Sequence, residues 1–287
     1  MAGGVCLIYS DVSIICPYRN GAPFLPGLIA NVQEQSHAAW ELLLIDDGSS
    51  DGGPDLAQCA AGQDGRIRAL TAPQRPAGTP LGPWWPRNHG LLQARHDLIA
   101  FLDVDDRWHP AKLSWQLQSL QRSGAGISVT GYVRFQASSE RLLSWRLPPA
   151  RFGYRLLRVT NAIPMLTLLL DRRLLEGGFR PCQHEDYLLW LTIFRRNLDL
   201  FCVTIPAVLA FYSVHPGNLT GDRWRMPFWA YGVYRTHGLG RLASLLSLFP
   251  WGYYQLYTLL RNRRKPIKPK LSTLLRAEPP LPLPPEQ

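Results

Sequence analysis

Three carboxylates stand within four positions in the stretch "LIAFLDVDDRWHP", residues 98–110: Asp103, Asp105 and Asp106. They follow directly on an apolar run. Like charges that close repel, and ionised carboxylates resist burial, so the cluster calls for a cationic partner. In extended backbone, residues two apart face the same way, which points Asp103 and Asp105 together and turns Asp106 aside. A hard divalent cation, Mg²⁺ or Mn²⁺, takes oxygen ligands, often few from protein and the rest from phosphate and water. A D-x-D at a strand end therefore suits a metal–diphosphate pair. A plainer reading also fits: acids at the start of a helix near residue 110 complement its dipole.

The elements that must position these residues show as hydrophobic periodicities. "VSIIC" (12–16), "WELLLID" (40–46), "RIRALT" (66–71) and residues 98–102 read as buried strands. Between them come Phe24, Leu25, Leu28, Ile29 and Val32 at helical spacing, a short helix around 54–60, and a helix over 87–96. An amphipathic helix over 109–121 follows, and a loop rich in Pro, Gly and Trp fills 72–86. Such alternation predicts right-handed βαβ units and a mostly parallel sheet, whose ligands gather at the carboxyl ends of strands. Pro17, Asp46–Asp47 and Asp103–Asp106 all fall at predicted strand ends, so three features distant in sequence converge on one rim. The second half is less regular. "PMLTLLL" (164–170) and "LFCVTI" (200–205) read as strands, with "EDYLLWLTIFRR" (185–196) as a helix between them. The end, "RNRRKPIKPK" (261–270) and "EPPLPLPPEQ" (278–287), reads as a basic, Pro-rich, flexible tail.

The 287-residue chain is 46% hydrophobic, enough for one large domain or a domain with an appendage. Its 31 Lys and Arg outnumber 21 Asp and Glu, a net charge of +10. The surplus favours anionic partners without choosing among phosphorylated ligands, nucleic acid and an acidic membrane. Five scattered cysteines with no C-x-x-C pair suggest neither a zinc site nor a disulfide framework, and hence a reducing compartment. The apolar "VCLIY" near the start has no basic region before it, which predicts no signal peptide.

Four blocks, in order, resemble one known family, the family 2 glycosyltransferases. "VSIICPYRNGAPFLPGLIANVQEQSHAAWELLLIDDGSSDGG" resembles its opening and "RNHGLLQARHDLIAFLDVDDRWHPAKL" the block holding its D-x-D. "GGFRPCQHEDYLLWLTI" resembles its Glu-Asp helix start and "YSVHPGNLT" its closing block, so the likeness covers roughly residues 12–220. The resemblance implies an α/β chain with the GT-A nucleotide-diphospho-sugar transferase fold: a mixed, mostly parallel sheet flanked by helices, here with a C-terminal helical appendage. It implies metal-assisted, inverting transfer from a nucleotide-sugar donor to a hydroxyl of a glycan, lipid-linked or other acceptor, in polysaccharide biosynthesis.

The resemblance also assigns residues by position. Pro17, Tyr18 and Arg19 match the first nucleotide-contacting loop, and Asp46 or Asp47, with Asp47 favoured, matches the carboxylate that reads the base. Arg87 and Asn88 match the "RN" near the nucleotide, where an Arg pairs with phosphate. Asp105 matches the direct ligand of Mn²⁺ or Mg²⁺, Asp103 the contact to ribose or metal-bound water, and His215 a further metal or phosphate contact. Asp186 matches the general base, with Glu185 as the alternative. Each role has a plainer counterpart: "DDGS" as a turn, Asp186 as a helix cap, His215 as an ordinary loop histidine. Two departures stand out. Trp84, Trp85 and Pro86 make the loop before "RN" bulky, and Ser213 replaces the Arg expected before V-H-P.

These readings divide the chain into a GT-A domain (1–222), an aromatic-rich helical appendage (223–262) and the tail (263–287). Residues 242–260, "LASLLSLFPWGYYQLYTLL", are uncharged, but nineteen residues barely reach a span and Pro250, Gly252 and Gln255 weaken one. An interfacial or docked helix is favoured, which places the protein in the cytoplasm, peripheral at the inner face of the plasma membrane where the segment meets lipid. No nucleic acid is expected, because basic residues are dispersed outside the tail and no nucleic-acid-binding signature occurs. A catalytically inactive GT-A-like binding protein, or a nucleic-acid-binding protein using the basic surface, stays open as the alternative; a nucleotidyltransferase is disfavoured by the "EDYLLW" and "VHPGN" blocks.

Overall fold

The computed structural model describes residues 11–182, 184–215, 226–262 and 271–276. The "VCLIY" segment, the "PGNLT" of the closing block and most of the predicted tail lie outside the described residues.

The first half alternates as its periodicity predicts: β1 (Val12–Tyr18), α1 (Leu25–Gln33), β2 (Trp40–Asp46), α2 (Gly53–Gln63), β3 (Ile67–Thr71), α3 (Trp84–Gln93), β4 (Leu98–Phe101), β5 (Arg107–Trp108) and α4 (Lys112–Ser123). The second half carries β6 (Ile127–Gln136), β7 (Leu142–Arg146), β8 (Arg151–Phe152), α5 (Tyr154–Leu157), β9 (Leu168–Asp171), α6 (Glu185–Arg196) and β10 (Cys202–Val214). Three helices close the described chain: α7 (Met226–Thr236), α8 (Arg241–Asn262) and α9 (Leu271–Arg276).

One ten-stranded sheet runs β3-β2-β1-β4-β9-β6-β10-β5, with β7 beside β6 and β8 beside β10. Strands β3, β2, β1 and β4 are parallel to one another, and β10 is parallel to β6. β9 runs antiparallel between β4 and β6, and so joins the two parallel parts. β1 and β2 are buried along their whole length, the state of strands covered by helices on both faces. One core, around Ile15, Phe101 and Trp190, lies on one side of the sheet; the other, around Ile14, Leu44 and Trp108, lies on the opposite side.

Several sequence expectations shift. The D-x-D is not extended: Asp106 N–H donates to Asp103 O at 3.0 Å, so the three carboxylates sit on a turn after β4. The alternation of facing inferred for a strand therefore does not apply to them. "PMLTLLL" splits into a 3₁₀ turn over Met165–Thr167 and the short β9, because Thr167 N–H bonds back to Pro164 O at 2.9 Å. β10 continues to Val214, well past residue 205, since β6 offers it a partner along that length. The described residues of the C-terminal helices pack on the sheet domain. Ala230, Val233 and Tyr234 of α7 belong to the main core, and Leu271, Leu274 and Leu275 of α9 pack with Val133 and Phe211 of the sheet.

Two glycines bring the elements close enough to build a site. A Cβ at Gly90, on α3, would stand 2.6 Å from Ile15 Cγ2, so α3 lies directly on β1. Gly178 has φ +60 and a Cβ there would meet Asn88 Oδ1 at 2.6 Å, which seats the loop before α6 on α3. No helix among the described residues is long and apolar enough to cross a membrane.

Candidate active site

Arg87 is the hub. It lies on the first turns of α3 and is 4% exposed. Its Nη2 donates to Asp103 Oδ1 at 2.7 Å and its Nη1 to Glu185 Oε1 at 2.7 Å. One guanidinium thus joins the turn after β4 to the start of α6. Burial opposes its charge, but the Asp103 and Glu185 carboxylates outweigh that and keep the guanidinium protonated. Sequence reasoning placed Arg87 on a phosphate and Asn88 near the nucleotide. Here Arg87 is engaged by two carboxylates, and Asn88 exchanges hydrogen bonds with the Phe179 backbone at 2.8 Å in both directions. Both residues hold the site's parts together.

The three carboxylates differ. Asp105 Oδ2 meets His215 Nε2 at 2.8 Å, and the imidazole stacks on Phe24 with centroids 5.4 Å apart. Burial first, then the Asp103 charge, raises the Asp105 carboxyl above the usual range. Asp106 is buried; its Oδ1 accepts the Ser213 amide at 2.8 Å, while Oδ2 has no hydrogen-bond partner among the described residues. Burial and then Asp105 and Asp103 push Asp106 well up. Ser213, which stands where an Arg was expected, is therefore part of the scaffold under the carboxylates. Among the described residues no cluster of His, Cys, Asp or Glu is complete enough to hold a metal by itself. Excess buried negative charge with a free carboxylate oxygen nevertheless fits a hard cation whose remaining ligands come from a phosphorylated molecule.

The ends of β1 and β2 carry the residues expected at the nucleotide. Tyr18 ends β1 opposite Asp46 on β2, and Asp47 N–H donates to Tyr18 O at 2.9 Å. Pro17 is buried inside β1 and Arg19 is exposed just beyond it. Asp46 accepts the Ser49 amide at 3.0 Å, which leaves Asp47 as the carboxylate turned outward, where Arg75 Nη2 reaches it at 2.6 Å. Burial raises the Asp47 carboxyl against the pull of Arg75. Arg75 was not anticipated; it comes from the irregular segment before α3, where no period marks it. The bulk of Trp84 goes inward: it is 5% exposed, belongs to the core, and its Nε1 donates to Pro80 O at 3.0 Å.

The Glu-Asp pair opens α6. Glu185 is buried and held by Arg87; burial lifts its carboxyl to about 7, against the pull of Arg87 and with a further push from Asp186. Asp186 is only partly buried. Its Oδ2 accepts from Asn161 Nδ2 at 2.9 Å and its Oδ1 from the Tyr187 amide at 2.7 Å. Asn161 was likewise unforeseen, since it lies in a stretch without periodicity.

Residues 13–179 match the family described as Glycosyl transferase family 2. The chain belongs to that family. It is 30% identical over 215 residues to UDP-Glc:alpha-D-GlcNAc-diphosphoundecaprenol beta-1,3-glucosyltransferase WfgD of Escherichia coli, across 75% of this chain and 81% of that one. Its fold is that of S. aureus TarS 1–349 solved in complex with UDP-GlcNAc, with a TM-score of 0.63 at 16% identity, over 84% of this chain and 71% of that one. It is also that of mannosyltransferase PcManGT from Pyrobaculum calidifontis in complex with GDP-Man and Mn²⁺, with a TM-score of 0.60 at 17% identity, over 91% and 78% of the two chains. This glycosyltransferase therefore has the GT-A fold and works in glycan synthesis. The reading as a non-enzymatic binding protein gives way to that membership.

Proposed function

We propose that this glycosyltransferase moves a sugar from a nucleotide-diphosphate donor to an acceptor hydroxyl in one displacement, with inversion. The observation that carries the reading is the buried Arg87, which couples Asp103 on the donor side to the Glu185–Asp186 helix start. Asp105, with Asp103 and His215, would hold Mn²⁺ or Mg²⁺. When bound, the cation supplies Lewis-acid stabilisation of the charge that develops on the leaving diphosphate. Asp47, backed by Arg75, with Pro17, Tyr18 and Arg19 beside it, forms the nucleobase end.

Asp186 takes the acceptor proton as the hydroxyl oxygen bonds the anomeric carbon and the bond from that carbon to the diphosphate oxygen breaks. Glu185 is the poorer base on geometric grounds, because Arg87 occupies its Oε1 and the side chain is 11% exposed. Asn161 orients the Asp186 carboxylate through its hydrogen bond to Oδ2. The acceptor proposed is a glycan hydroxyl, free or lipid-linked; the similarity to WfgD, whose own acceptor is named as alpha-D-GlcNAc-diphosphoundecaprenol, supports that class. The test is a panel of nucleotide sugars with Mn²⁺ or Mg²⁺ and a read-out of released nucleoside diphosphate. One donor should be consumed with metal and spared after EDTA. A folded protein that consumes none of them with either metal overturns the reading.

A further inference from the structure

Over its described side chains, up to Leu256, α8 has one covered face and one exposed face. Ser244 is fully buried, and Leu248 and Trp251 pack against the main core. At ~100° per residue those positions share one side of the helix. Leu242, Leu245, Leu246, Phe249, Tyr253 and Leu256 fall within a single opposing arc of roughly 100°. All six are between 52% and 75% exposed. A helix already docked on its domain through one face has no internal use for six large apolar side chains on the other.

Charge says what covers them. Residues 223–277 hold eleven Lys and Arg and no Asp or Glu, so the other 232 residues carry 20 basic against 21 acidic groups. The whole surplus of this chain therefore sits on the segment that contains α8. At the start of α8 three arginines gather. Arg195 Nη1 donates to His237 O at 2.9 Å, Arg235 Nη1 donates to Leu239 O at 2.8 Å, and Arg241 opens the helix. Beyond its other end the sequence continues with Arg263, Arg264, Lys265, Lys268 and Lys270. A second copy of the chain would bring like charge against like. An apolar stripe bracketed by cations matches the anionic headgroups and acyl boundary of a bilayer surface.

We propose that α8 lies in the plane of an anionic membrane surface, with the Leu242–Leu256 stripe in the acyl boundary and the flanking arginines among lipid phosphates. The proposal is independent of the catalytic reading. It is tested by flotation of the full-length protein with phosphatidylglycerol-containing vesicles and with pure phosphatidylcholine vesicles. The wild type should float with the former, less so at high salt, and only weakly with the latter. Leu246→Glu/Phe249→Glu should lower the partition coefficient at least ~tenfold without changing Tm or nucleotide binding. Leu245→Ser/Phe249→Ser supplies the same test should the glutamates disturb folding. Unchanged partition of both variants overturns the proposal. So does a wild type that ignores vesicles and forms a dimer that the variants dissociate, which would assign the stripe to a second copy.

Discussion

Asp186 and Glu185 are adjacent in sequence, yet the fold gives them different work. Arg87 claims Glu185, and Asp186 is left partly open with its two oxygens steadied by Asn161 and the Tyr187 amide. Asp186→Asn keeps the size and removes the basic carboxylate. Its kcat should fall by ~10²–10⁴, the scale of a lost general base, with donor affinity nearly unchanged. Near-normal turnover by the folded variant would move the role to Glu185. Arg87 makes a second prediction at this scale. Arg87→Met keeps the stem and strands the buried Glu185 carboxylate. Removing one partner of a buried ion pair costs ~3–5 kcal/mol, and the low end applies because the Asp103 side chain is 38% exposed. Urea unfolding that shows a loss below ~1 kcal/mol would mean that the network contributes nothing to stability.

Between elements, His237 closes the junction of α5, α6 and α7. Its Nε2 meets Tyr154 OH at 3.1 Å, and its carbonyl accepts from Arg195. Burial, then the charges of Arg195 and Arg158, lowers its imidazole from 6.5 to about 4. The unfolded chain therefore binds a proton in that window that the folded chain refuses, so stability is present above pH 6.5 and is lost as pH falls toward 4. The wild type should lose more Tm between pH 7 and pH 5 than His237→Gln does, as read by calorimetry at both pH values. Parallel losses would show that another group governs the acid limb. This junction was invisible in the sequence, whereas α6 itself was legible to the residue, Glu185–Arg196. Its apolar residues recur with the helical period, and that period is a local property. β6 was missed because Thr130, Gly131 and Arg134 interrupt its apolar pattern. It is a strand because β9 and β10 bond it on either side.

For the whole molecule, a ligand that binds only the folded state raises stability by mass action. A nucleoside diphosphate at a hundredfold excess over its Kd, with Mn²⁺, adds ~2.7 kcal/mol and shifts Tm by several degrees. EDTA should abolish the shift, and Asp105→Asn should not show it. An equal shift with and without metal would remove the cation from the donor site.

The sequence by itself determined the βαβ first half, the carboxylates after β4 and the Glu-Asp start of α6. Apolar period and charge spacing are carried by residues near one another, so they can be read in order along the chain. The tertiary structure alone decided what those groups touch. Arg87 and Glu185 are 98 residues apart, and neither sequence environment announces the other. Folding made the D-x-D a turn, aimed Trp84 into the core and turned the unanticipated Arg75 onto Asp47. It also divided α8 into a docked face and an exposed one, because only the packed core determines which side of a helix is already covered.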